Sequence, residues 1–322
     1  MTTRGFEWHD GERTIRFGRG AIASAGELLG DGFVLLTTPR AESAAPDVVA
    51  AAASVHHVAP GLVDELSAAL LGSVPEDASL LVALGGGRVI DTAKAVAGGR
   101  GGALRVAAIP TTLSAAEMTR IHRLPSGVEG AVRVRPAIVL NDPALCASQP
   151  EDQLAASAAN SLGHAVEAPL TDQASPVPSL AAAEAVRLTA QAYGAGQPDR
   201  DALALAALLS GYAIDANHYG LHHVLSQTLV RVGGAGHGPA NAAMLPHTIE
   251  ALRRRGEIPP EAAGVARDLA RRAGAERLRD LGVAREALDR CADAAAARGA
   301  DLARTPPPAD RDEIRALYEA AW

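Results

Sequence analysis

Ser79-Leu80-Leu81-Val82-Ala83-Leu84 runs into Gly85-Gly86-Gly87, and Arg88-Val89-Ile90-Asp91-Thr92-Ala93-Lys94 follows. The opening run is apolar, short and of buried-strand type. The glycines punctuate it, and the closing residues carry helical spacing. In such a succession unpaired backbone N–H groups converge and the helix dipole favours an anion. Glycines also let the backbone approach a pyrophosphate closely. Taken alone, the triplet reads equally as an anion site or as a tight strand–helix turn. The spacing is not GxGxxG, so the ordinary dinucleotide fingerprint is missing.

Working outward, Gly32 to Thr37, Arg105 to Ile109 and Ala137 to Leu140 read as three more buried strands, with helical patterns at 61–71 and 90–97. Strands alternating with helices predict a parallel sheet covered on both faces. After about Pro150 the β-branched runs end, and helical patterns cover 152–168, 178–193, 200–230, 239–254, 260–272, 284–298 and 310–321. The expected division is an α/β domain over 1–149 and an all-helical domain over 150–322. The chain's 322 residues, 48% hydrophobic, suffice for two such cores.

A net charge of -7 offers no footprint for nucleic acid or an anionic membrane. No uninterrupted apolar run reaches a membrane-spanning length of about 18 residues. Two cysteines, Cys146 and Cys291, make no disulfide framework. A cytoplasmic protein acting on a small molecule is expected.

Of 30 basic residues one is Lys, Lys94, a turn after Asp91 and close enough to the glycine loop to face a phosphate or ribose. A second polar turn, Pro110-Thr111-Thr112-Leu113-Ser114, follows a strand where open α/β sheets bind ligands, and reads equally as a helix cap. In the second half Ser157, Asn160, His164 and Glu167 form a polar stripe on one helix face. His223 stands on a later helix with Gln227 one turn on, and His237 follows a glycine-rich turn. Three imidazoles can bind Zn²⁺ or Fe²⁺, or can be ordinary buried, hydrogen-bonded histidines. His9, His56, His57, His218 and His222 have no such partners and read as structural or exposed. His122 and Arg123 read equally as a substrate border or as surface polarity.

These pieces, in this order, resemble the iron-containing alcohol dehydrogenase superfamily. Residues 85–94 are similar to its GGGSxxDxAK loop, and 110–119 to the PTTLSGAEMT segment of the maleylacetate reductase branch. Asn160 to Ala168 resembles NALAHAVEA, Gly220-Leu221-His222-His223 matches GLHH, and His237 to His247 resembles HGxAN…LPH. The resemblance implies the dehydroquinate synthase-like, iron-containing alcohol dehydrogenase fold, with the active site in an interdomain cleft. It implies NADH or NADPH held by Gly85, Gly86, Gly87, Arg88, Asp91, Lys94, Thr111, Thr112, Ser114 and Thr38. It places catalysis on Asn160, His164, His223, His237 and Gln227, with His223 or His237 as a proton donor, and makes a homodimer the expected assembly.

Departures from the pattern matter. Asn160 stands where most members have a metal-binding Asp, so Fe or Zn on Asn160, His164, His223 and His237 and metal-free catalysis both stay open. Gln227 replaces a His, Arg88 a Ser and Gly236 a Pro. Thr38-Pro39 stands where many relatives carry an NAD-selecting Asp, which leaves NADP admissible and Arg40 available to its 2′-phosphate. The expected activity is NAD(P)H-dependent reduction of a small carboxylated enone or ketone. A metal-dependent alcohol or polyol dehydrogenase is the second reading, and a repurposed non-redox or binding-only relative the third.

Overall fold

The computed structural model describes residues 4–193 and 197–322. The chain folds into two compact units, Met1–Gln149 with Arg200–Leu208, and Pro150–Asp199 with Leu209–Trp322. The segment from Arg200 groups with the first unit, unlike the expected division. Side-chain bonds give the reason: Arg200 donates to the carbonyls of Cys146 at 2.8 Å and Gln149 at 3.0 Å, and Arg19 pairs with Asp201 at 2.7 Å.

The first unit is built on strands β1 (Phe6–Asp10), β2 (Arg13–Phe17), β3 (Val34–Thr37), β4 (Ser54–His57), β5 (Leu80–Gly85), β6 (Arg105–Pro110) and β7 (Ile138–Asn141). They form one sheet in the order β1-β2-β7-β6-β5-β3-β4, parallel throughout except for the β1–β2 hairpin. The expected strands are β3, β5, β6 and β7, whose runs are buried from both sides. The other three carry polar or half-exposed alternation. β1 and β4 lie at the two edges, where one side of the ladder needs no cover.

Alternation along the central strands sorts the core onto two faces. Leu36, Leu81, Ala83, Val106 and Ala108 pack on one face with helices α1 (Val63–Leu70) and α2 (Gly87–Gly99). Leu35, Val82, Leu84, Ala107 and Ile109 pack on the other. Strand order reverses direction between β3 and β5. The carboxyl ends of those strands, at Thr37 and Gly85, are where such sheets take ligands.

The second unit is helical: α3 (Glu151–Glu167), α4 (Pro176–Ala192), α5 (Arg200–Asn217, of which the end from Leu209 belongs here), α6 (Leu221–Thr228), α7 (His237–Leu252), α8 (Ala262–Arg272), α9 (Ala287–Ala296) and α10 (Arg311–Ala321). The single helix expected over 200–230 is broken between α5 and α6. His218 takes a left-handed φ of 63° there, and the Leu221 N–H is capped by the Thr305 hydroxyl at 3.0 Å. Tyr318, fully buried on α10, donates to the Leu225 carbonyl at 2.9 Å and pins the last helix to α6.

A Cβ on Gly220 would stand 1.7 Å from the Thr305 hydroxyl oxygen. Gly220→Ala is therefore expected to cost about 2–3 kcal/mol, the range of overpacking a tight site. Urea unfolding of the variant should show a lower midpoint at unchanged slope.

Candidate active site

In the first unit the two polar turns come together. Gly86, extended at φ −79°, caps α2. A Cβ there would lie 3.0 Å from the Thr112 methyl, and one on Gly87 would lie 2.8 Å from the Ser114 Cβ. Thr111 N–H donates to the Gly85 carbonyl at 3.0 Å. The glycine loop is thus seated on the threonine–serine turn with no room for side chains, and it presents the N-terminus of a four-turn helix. Thr38 follows β3, the neighbouring strand in the sheet, and caps the short helix Pro39–Glu42, accepting from Ala41 N–H at 3.4 Å. Arg88 is exposed on the first turn of α2. This cradle fits a dinucleotide phosphate.

Two residues expected to face ligands do not. Lys94 is fully buried, and its ammonium donates to the carbonyls of Ala116 and Thr119 at 2.9 Å each and to the Thr119 hydroxyl at 3.2 Å, besides pairing with Asp91 at 2.7 Å. Its compact charge collects the 116–121 segment under the cradle, so it is a positioning residue rather than a phosphate ligand. His122 is buried as well. Its Nδ1 donates to the Arg123 carbonyl at 2.8 Å and its Nε2 accepts from Val134 N–H at 2.9 Å, leaving neither nitrogen for a substrate. Burial, aided by the Lys94 charge, pushes it down to about 3. Arg123 is half-buried beside it.

In the second unit α3 and α6 bring the expected histidines together. The His164 and His223 rings stack at 4.7 Å between centroids, and His222 meets His223 edge-on at 4.9 Å. Glu167, one turn past His164, lies at the start of α6. Its carboxylate accepts from the backbone N–H groups of His222 and His223 and from His223 Nδ1 at 2.8 Å. Burial pushes Glu167 up, while those donors and the nearby His222 pull it back toward the anion. With Nδ1–H committed, His223 keeps a lone pair on Nε2, which has no hydrogen-bond partner. Asn160 Nδ2 lies 3.5 Å from His164 Nε2, and His164 Nδ1 is also unpartnered. His222 is fully buried rather than exposed, with Nδ1 on the Thr248 hydroxyl at 2.8 Å. Gly163 leaves it space, since a Cβ there would come within 2.6 Å of His222 Nε2.

Burial, reinforced by neighbouring positive charge, drives His223 down to about 3 and His164 well below its ordinary value. Burial, with His223 beside it, likewise brings His222 to about 3. All three are neutral near pH 7. His223 consequently offers a hydrogen-bond acceptor at Nε2.

Residues 12–143 match the family described as iron-containing alcohol dehydrogenase, and residues 154–257 match its C-terminal domain. Maleylacetate reductase of Pseudomonas knackmussii is 31% identical over 92% of this chain and 91% of its own length. Maleylacetate reductase 2 of Cupriavidus pinatubonensis is 37% identical over 53% of this chain, a match spanning 50% of that relative. The crystal structure of maleylacetate reductase from Agrobacterium tumefaciens superposes with a TM-score of 0.81 at 27% identity, covering 100% of this chain and 99% of that one. The chain belongs to the iron-containing alcohol dehydrogenase family. Within it the chain stands on the maleylacetate reductase-like branch and is an NAD(P)H-dependent oxidoreductase.

For a member of that family, the donor set fits a metal poorly. Asn160 supplies an amide where an anion is usual, and His237 is exposed at the start of α7. Among the described residues no three His, Cys, Asp or Glu side chains are placed to hold an ion. Gln227 is also engaged: its Oε1 accepts from Arg298 Nη1 at 3.0 Å. Arg298 and Tyr219, whose ring centre lies 5.9 Å from that of His223, escaped sequence reasoning, as did the anchoring role of Glu167. The first two fall within stretches expected to be helical, 200–230 and 284–298, where the structure instead breaks the helix.

The neutral histidines make stability depend on pH with a definite sign. Below about 6.5 the unfolded chain takes up protons that the buried rings refuse, so stability falls as pH drops from about 6.5 toward 3. Buried Glu117, pushed up to about 7, acts oppositely over part of that window, so the variant difference is the useful quantity. His222→Leu should flatten the wild-type slope by about 1.4 kcal/mol per pH unit between pH 4 and 6. Urea unfolding across that range reads it, and an unchanged slope would mean His222 is charged in the folded enzyme.

Proposed function

We propose that this enzyme reduces maleylacetate or a closely related oxo-enedioate with NAD(P)H. The observation that carries the reading is the composition of the α3–α6 site: an amide and neutral imidazoles, arranged to hydrogen-bond an oxygen. The similarity to maleylacetate reductases along most of the chain supports it.

Bound NAD(P)H supplies a hydride to the carbon–carbon double bond of the substrate. As it adds, the electron pair moves onto the conjugated carbonyl oxygen, which becomes an enolate, and a proton from solvent completes the saturated product. His164 Nδ1–H is the free donor that stabilises that oxygen, and removing a comparable oxyanion donor costs about 100- to 1000-fold in rate. Asn160 holds the His164 tautomer. Glu167, filled by the N–H groups at the start of α6, fixes His223 behind it. The glycine loop and Thr112–Ser114 turn hold the cofactor's pyrophosphate. A metal-dependent alcohol dehydrogenase is the weaker reading, because it needs the anionic ligand that Asn160 lacks.

The β3 terminus bears on cofactor choice. Thr38 does not repel a 2′-phosphate, and Arg40 is exposed two residues on. Both dinucleotides should be used, with NADPH depending on Arg40. Steady-state assays with maleylacetate should show Arg40→Ala raising the NADPH KM about tenfold while NADH stays within about twofold. A chelator should leave the rate unchanged. Loss of activity on chelation, restored by Fe²⁺ or Zn²⁺, would overturn the metal-free mechanism.

A further inference from the structure

Arg298 reaches from the segment after α9 to two residues around α6. Its Nη1 donates to Gln227 Oε1 at 3.0 Å and its Nη2 to the Tyr219 hydroxyl at 3.3 Å. The other edge of the guanidinium is closed by Asp301, whose Oδ2 accepts from Nη2 at 2.9 Å and Nε at 3.1 Å. Arg298 therefore shows two different forks, one on a carboxylate and one on neutral groups.

The neutral fork has a consequence for hydrogen polarity. With Gln227 Oε1 pinned on the guanidinium, the amide presents its NH₂. The phenol oxygen of Tyr219 accepts from Nη2, so its O–H is free to donate elsewhere. Among the described residues the second Nη1 hydrogen, the Gln227 amide hydrogens and the Tyr219 hydroxyl hydrogen have no protein acceptor. The side chains are half-buried, so solvent and ligand can reach them. Donors of this kind, around a planar cation with one fork uncommitted to charge, match a carboxylate. The group begins beside the His223 ring and extends to Gln227, one helical turn or about 5.4 Å along α6.

We propose that Arg298, with Gln227 and Tyr219, binds the substrate carboxylate remote from the reacting double bond and so selects dicarboxylates. The assignment rests on the reductase reading above. Gln227, standing where many relatives carry a histidine, then serves as one arm of an anion cradle instead of a proton relay.

The test compares maleylacetate with 4-oxopent-2-enoate, the same enone carrying one carboxylate fewer, and adds calorimetry with succinate, which undergoes no reduction. Arg298→Gln should raise the maleylacetate KM about 10- to 100-fold at nearly unchanged kcat. It should leave the monocarboxylate KM within about twofold and abolish succinate binding. Gln227→Glu, nearly isosteric, places a competing carboxylate on the same fork and should do likewise, and it decides the matter alone if Arg298→Gln fails to fold. Arg187→Gln, on the surface of α4, should change nothing. Wild-type enzyme that binds succinate through Arg298 yet reduces neither enone would sink the reductase reading and keep the cradle. Equal loss on both enones, a fall confined to kcat, or succinate binding indifferent to both substitutions would overturn the cradle.

Discussion

Glu167 is the constraint from which the catalytic unit is organised. A fully buried carboxylate is costly unless its lone pairs are filled. Here the filling comes from the N-terminus of α6, through the N–H groups of His222 and His223, and from the His223 ring. Because Glu167 is the last residue of α3, one interaction sets the spacing between the two site helices, the rotation of α6 about its axis and the tautomer of His223. Stacking of His164 on His223 follows, since the two rings lie on the elements that Glu167 joins. Gly163 is needed for the same reason: with the helices held this close, a Cβ there collides with the His222 ring, whereas Gly220 makes room for the Thr305 hydroxyl that caps α6.

Lys94 has the matching role in the other unit. Its charge is spent on Asp91 and on the chain segment after the threonine–serine turn. That turn in turn seats the glycine loop. An arginine, with a planar fork and a wider head, fits this compact set of carbonyls badly, which is a physical reason for one lysine in a chain that otherwise uses arginine. Each half of the enzyme thus positions a ligand-facing surface by burying one ionised side chain behind it.

Much of this was legible from residue order. The central strands declared themselves because both faces are buried and their runs are uniformly apolar. The glycine loop, the threonine turn and the Asn160–His164–His223 grouping were found by spacing and family resemblance, and the structure brings each group together within its own unit. Edge strands β1 and β4 were missed because half-exposed alternation with charged residues looks like loop. The break between α5 and α6 was missed because its cause, the Thr305 hydroxyl, lies 84 residues from the bond it caps. Lys94 and His122 were misassigned for a related reason: sequence shows which groups carry hydrogen-bonding capacity, and only packing shows where that capacity is already used. Arg298 is the converse case, one arginine among many until its partners are seen.

Charge explains how the departures of this chain fit together. A metal site of the family type concentrates positive charge on an anionic ligand and imidazoles. Here Asn160 removes the anion, His237 lies exposed, and the His164 and His223 rings are neutral and stacked. In the proposed reduction such a site has to stabilise developing negative charge on the substrate oxygen, and buried N–H dipoles, each worth more there than in water, are the groups it offers. It also has to attract an anionic substrate without a dication. In the proposed cradle that task falls to the edge of the Arg298 guanidinium that Asp301 leaves open, bonded to Gln227, the residue that replaces a family histidine. The substitutions at 160 and 227, separately unfavourable to a metal-dependent dehydrogenase, are mutually consistent in an enzyme whose electrostatics rest on hydrogen bonds and one arginine.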